Sequence, residues 1–196
     1  FEQVTDAGIE GEKNSEGSCW GDFNNDGWTD LIVTNDGANS LYKNIHGLRF
    51  EQLDISGLTD SVRNSNGTVW FDIENDGDLD LYVANGGNQN NQFFRNIGNL
   101  NSWIKIKLIG GPENTSAIGA KVKITAEGLT QLQEVSSQTG GGCGSQKPLT
   151  LHFGLWNTDR IEKVEVIWPD GEAQEFEIEE LNTTHQLKKA AYNRAI

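Results

Sequence analysis

Two nine-residue stretches concentrate the side chains that could do chemistry. Asp22 to Asp30 reads DFNNDGWTD, and Asp72 to Asp80 reads DIENDGDLD. Asn-Gly or Asp-Gly is enough to make a tight turn, so the additional, mutually repelling carboxylates need another reason. Positions 1, 3, 5, 7 and 9 are Asp22, Asn24, Asp26, Trp28 and Asp30 in the first loop, and Asp72, Glu74, Asp76, Asp78 and Asp80 in the second. A loop curled around an ion presents alternate residues inward, with a backbone carbonyl at position 7 and a glycine at position 6 for the sharp turn. Gly27 and Gly77 occupy position 6. A carbonyl role accounts for Trp28 and Asp78 at equivalent places. All donors are hard oxygens, which suits calcium and argues against zinc or copper; magnesium seldom takes an all-protein cage of carboxylates. The expectation is two Ca2+ sites, the second tighter because it carries more carboxylates. Solvated acids on two plain hairpins are the alternative.

These loops are not EF-hands, which need a glutamate at position 12 and flanking helices. Position 12 is Val33 or Val83, inside DLIVTN and DLYVAN. Such flanks predict that each loop joins two strands. The loops also lie 50 residues apart in a longer repeat: SCWGDFNNDGWTDLIVTND aligns with TVWFDIENDGDLDLYVANG. Trp20 pairs with Trp70, Leu31 with Leu81, Val33 with Val83 and Asn35 with Asn85. LYKN (Leu41 to Asn44) resembles FFRN (Phe93 to Asn96), and FEQVTDAGI from Phe1 resembles FEQLDISGL from Phe50. About four strands in about 50 residues is the size of a propeller blade.

Beyond Asn101 the acidic loops stop and strict alternation begins. WIKIKLI sets Ile104, Ile106 and Leu108 on one face and Lys105 and Lys107 on the other; AKVKIT turns Ala120, Val122 and Ile124 inward. Period-two patterning predicts half-buried antiparallel strands. The chain therefore reads as all-β: two blade-like calcium-binding repeats over 1–100, an antiparallel β-sandwich or barrel over 101–189, and a tail over 190–196 that forms a short helix or an arm.

The formal charge of −14 disfavours nucleic acid and anionic membrane surfaces and favours cations. No apolar run is long enough to span a membrane. A start at Phe1 rather than Met fits a processed product. Cys19 and Cys143 permit one disulfide, within or between chains; the other reading is a buried thiol at Cys19, whose repeat counterpart is Val69. His46, His152 and His185 lack metal-ligand spacing, and His152, inside TLHFGL, reads as structural. The Gly-rich TGGGCGSQ lacks the ending of a phosphate loop and reads as a turn. Trp20, Trp70, Trp103 and Trp168 read as core. Trp28 and Trp156 are the candidates for exposed platforms that stack on sugars or anchor partners. Asn66, Asn114 and Asn182 begin glycosylation-type tripeptides.

The residues from Phe1 to Asn99 resemble FG-GAP/VCBS-type repeats, the calcium-loop blades of integrin-α-like propellers. Those from Trp103 to Lys188 resemble the ASPIC/UnbV domain, through AIGAKVKI, QEVSS, LHFGL and VEVIWPDG. The order is that of the cartilage acidic protein family. The resemblance implies a secreted or cell-surface protein that binds calcium through the blade loops and acts in adhesion or protein interaction, without catalysis. It carries over no catalytic residue. Trp156 stands where the family usually has glycine. Two repeats cannot close a ring, which leaves three arrangements: a piece of a longer propeller, repeats packed on the sandwich, or blade edges paired between chains as an oligomer or fibre. The expected partners are proteins or further copies of the chain, with glycans possible. A carbohydrate-binding accessory or enzyme domain with structural calcium is the alternative.

Overall fold

A computed structural model describes residues 1–9, 14–136 and 146–190. Every regular element among them is a strand: β1 (Asn14–Gly21), β2 (Asp30–Gly37), β3 (Ser40–Ile45), β4 (Arg49–Leu53), β5 (Arg63–Phe71), β6 (Asp80–Asn85), β7 (Gln92–Phe94), β8 (Trp103–Ile109), β9 (Lys121–Ala126), β10 (Leu129–Glu134), β11 (Leu151–Gly154), β12 (Lys163–Ile167), β13 (Ala173–Phe176) and β14 (Thr183–Lys188). The chain divides into two compact units. The first holds Phe1–Asn24 and Trp28–Asn99; the second holds Asn25–Gly27 and most of the chain from Leu100 onward. No helix among the described residues is long and apolar enough to cross a membrane. Cys143, most of TGGGCGSQ and residues 191–196 of the tail lie outside the described residues.

In the first unit both acidic loops connect neighbouring antiparallel strands, β1 to β2 and β5 to β6. The first repeat is a four-stranded meander, β1-β2-β3-β4. The second has three described strands, β5-β6-β7, rather than the expected four. A short pairing of β2 with β5 joins the repeats in one sheet whose path runs from β4 to β7. Both repeats carry the same irregularity, a register shift between Ser15 and Gly17 and between Ser65 and Gly67. Beside it, the Ser15 and Ser65 hydroxyls donate to Asn35 and Asn85 Oδ1. Those two asparagines also brace the next turn: the Asn35 side-chain amide donates to Ala38 O, and that of Asn85 to Asn90 O.

The repeats bury their apolar faces against each other. Cys19, Ile32 and Leu41 share one core cluster with Trp70, Leu81 and Val83. Phe23 stacks on Trp70, with ring centroids 5.8 Å apart and 15° between planes. Gly21 makes this fit possible, since a Cβ there would lie 2.6 Å from Trp70 Cδ1. Gly21→Ala is expected to cost about 1–3 kcal/mol through overpacking, read as a lower denaturant midpoint with an unchanged slope. Cys19 keeps a buried free thiol, and burial pushes its pKa up. The expectation of a core role fails for Trp20, which is half exposed although Trp70 is buried. Trp70 meets Phe23 and Gly21 of the repeat before it, and no described strand stands before β1 to play that part. Trp28 is not an open platform either: it lies edge-on to His46 and against Gly47.

The second unit is a two-sheet sandwich, β10-β9-β12-β13 facing β11-β8-β14. Its core holds Ile104, Ile106 and Leu108, Val122 and Ile124, Phe153, Val164, Val166 and Trp168. One departure from the antiparallel expectation is β14, which crosses from one sheet to the other and runs parallel to β8. Another is Lys105: the alternating pattern puts it outside, yet it is buried, its ammonium 5.3 Å from the Trp103 ring centre. Trp156 adopts φ +54°, the left-handed region where glycine is unstrained. It is half exposed. Two of the three glycosylation-type asparagines spend their side chains on the fold. Asn114 donates to Ile118 O, and Asn182 accepts from Trp103 N–H.

Candidate metal centre

Loop 72–80 lies wholly in the first unit and shows how sequence sets its curl. Asn75 takes φ +59° and Gly77 φ +91°; Asn25 and Gly27 in the other loop repeat this at +57° and +85°. Asparagine and glycine are the residues that tolerate this region, so the Asn-Asp-Gly core encodes two left-handed turns flanking an aspartate. The position 1 carboxylate closes the curl: Asp72 accepts from the N–H of Asp76 at 3.2 Å and of Gly77 at 2.7 Å. Asp76 accepts from Asp78 N–H at 3.1 Å.

The position 9 aspartates do a second job that spacing alone did not reveal. Asp80 is buried, and its two oxygens accept from Ile73 N–H at 3.2 Å and Asn96 N–H at 2.9 Å. Asp30 repeats the pattern with Phe23 N–H at 3.2 Å and Asn44 N–H at 2.8 Å. Each carboxylate therefore ties the start of its loop to the strand or turn that follows the hairpin. Asn44 and Asn96 answer in kind, donating to the backbone oxygens of Thr29 and Leu79. The LYKN and FFRN matches contained this signal, since each motif ends on the asparagine that the position 9 aspartate holds.

The position 7 side chains engage the turn after the hairpin. Trp28 packs on Gly47, and Asp78 lies against Gly98, where any Cβ would collide with its carboxylate. The Asp78 pKa is raised, first by burial and then by the charges of Asp76, Asp72 and Asp80. The charges of the loop's other aspartates thus reach Asp78. Glu74, the position 3 candidate, instead pairs with Arg95 at 2.5 Å. Loop 22–30 is divided between the units, because Asn25–Gly27 group with the second. Within that second unit, Asn25 O accepts from Trp156 N–H, and Asn25 Oδ1 lies 2.7 Å from His152 Nε2. This gives His152 the structural setting expected of it.

Among the described residues, no group of three or more His, Cys, Asp or Glu side chains is already gathered as a metal-holding cluster. The donor chemistry of loop 72–80 nonetheless fits a hard divalent cation. It supplies oxygens only, on a curled backbone, with aspartate charges that disfavour that of Asp78.

The fold and loops define a class: an all-β chain in which acidic-hairpin repeats precede a β-sandwich. Family models agree. The FG-GAP-like repeat matches residues 22–83, and the ASPIC and UnbV model matches residues 110–194. The chain thus has the FG-GAP plus ASPIC/UnbV architecture. A search of curated proteins finds no match.

Proposed function

We propose that this chain is a non-catalytic extracellular module for adhesion, protein interaction or self-assembly, and that its two acidic loops bind calcium. The observation that supports this best is the curl of loop 72–80, in which Asp72 and Asp76 accept from loop N–H groups and the charges of Asp76, Asp72 and Asp80 disfavour that of Asp78. Calcium would be held by Asp72, Glu74, Asp76, Asp80 and the position 7 backbone carbonyl of Asp78. The matching set is Asp22, Asn24, Asp26, Trp28 and Asp30. The ion supplies charge neutralisation and a rigid hub; the chain's own residues supply the preset curl. Glu74 must leave Arg95 to join, so the second loop loses part of the advantage that its charge count suggests. The engaged side chains of Trp28 and Asp78 support the carbonyl role at position 7.

An ion bound only to the folded form adds about 2.7 kcal/mol at a hundredfold excess over Kd. Excess chelator is therefore expected to lower the melting temperature by several degrees, and added calcium to restore it. A melting curve indifferent to both would refute the calcium reading. Asp76→Asn should reduce the calcium-dependent part and leave melting in chelator nearly unchanged, because Asp76 is exposed.

A further inference from the structure

Among the described residues, the second repeat lacks a strand that the first one has. In the first repeat β4 lies along β3 with Leu41 opposite Leu53, Tyr42 opposite Gln52, Lys43 opposite Glu51 and Asn44 opposite Phe50. The matching edge in the second repeat is β7, which ends the sheet path and is only three residues long. Its Phe93, the counterpart of buried Leu41, is 44% exposed. Arg95 and Asn96, counterparts of the paired Lys43 and Asn44, lie beyond the strand. An open strand edge is a template for another strand.

The chain also holds a strand-like segment that joins no sheet ladder and meets β4 through Ala7 O, which accepts from Phe50 N–H. Phe1-Glu2-Gln3-Val4 repeats Phe50-Glu51-Gln52-Leu53 of β4 almost letter for letter. Yet residues 1–9 form no strand, and Phe1 and Val4 are exposed. Transferring the register of the first repeat sets Val4 opposite Phe93, Gln3 opposite Phe94, Glu2 opposite Arg95 and Phe1 opposite Asn96. The apolar pair matches Leu41 with Leu53, and the charge pair matches Lys43 with Glu51. Cross-strand pairs of these kinds stabilise a sheet.

We propose that the β7 edge is an interaction surface for the Phe1–Val4 segment of a second copy of this chain, added as the missing fourth strand of the second repeat. The contact is head-to-tail, so it joins chains in rings or open arrays according to whether the rotation closes. Continuing the blade stack is not an equivalent route. Phe71 occupies in the second repeat the place of Gly21 in the first, and the space Gly21 leaves is filled by Trp70. The inference deepens the self-assembly branch of the proposed function and requires no bound calcium, although its Arg95 also pairs with Glu74 of the acidic loop.

Sedimentation of the full chain over a hundredfold concentration range, with calcium and with chelator, tests it. Mass should rise with concentration. A free peptide of sequence FEQVTDAGI should bind the chain and suppress the rise. Glu2→Lys with Val4→Asp should weaken association at least tenfold while leaving the melting temperature and its chelator response unchanged, because neither residue touches the acidic loops. A constant monomer mass, or association unaffected by the double variant and the peptide, would overturn the proposal. So would a monomer whose melting falls in the double variant, since that places the segment on its own chain's edge. The chelator response of melting reports separately on calcium.

Discussion

Trp70→Ala is expected to destabilise the first unit by about 3–5 kcal/mol, the range for emptying a large buried site. The ring fills the space that Gly21 leaves open, stacks on Phe23 and touches the cluster that joins the two repeats. Its loss removes the main knob of that interface, and Gly21 has no side chain with which to fill the void. Trp20→Ala, at the matching position of the first repeat, should cost under about 1 kcal/mol, since a half-exposed residue loses less buried area. Paired denaturant melts would measure the difference. Equal losses at the two tryptophans would show that the repeats do not pack through this asymmetric knob.

Asp80→Ala should cost roughly 3 kcal/mol even in excess chelator, because two backbone N–H groups lose a charged acceptor in a buried place. Asp30→Ala should behave alike, with Phe23 and Asn44 as the orphaned donors. Asp76→Asn is the contrast: its effect should appear only when calcium is present. The comparison separates two roles that one loop pattern combines. If Asp80→Ala cost stability only with calcium present, the position 9 carboxylate would be a ligand alone and not a structural tie. A substitution to asparagine keeps one acceptor oxygen and should recover part of the loss.

The alternating strands, the repeat and the loop curl were legible because each rests on local rules. Period two sets which side chains share a face, and Asn-Asp-Gly selects left-handed backbone at Asn75 and Gly77. Even the tie at Asp80 left a trace, in the asparagine that ends each repeat motif. The burial of Lys105 had no such trace. Its neighbours Ile104 and Ile106 alternate correctly, but alternation says which face a residue takes and not whether that face is covered.

Strand periodicity, the two curled acidic loops and the likeness of the two repeats all follow from spacing along the chain. The tertiary structure set the difference between Trp20 and Trp70, the parallel run of β14 beside β8 and the end of β7 without a fourth described strand. Each of these depends on what stands next to an element in space. A repeat makes its copies alike in sequence, but the first and last copies have different neighbours, and burial is a property of the neighbour.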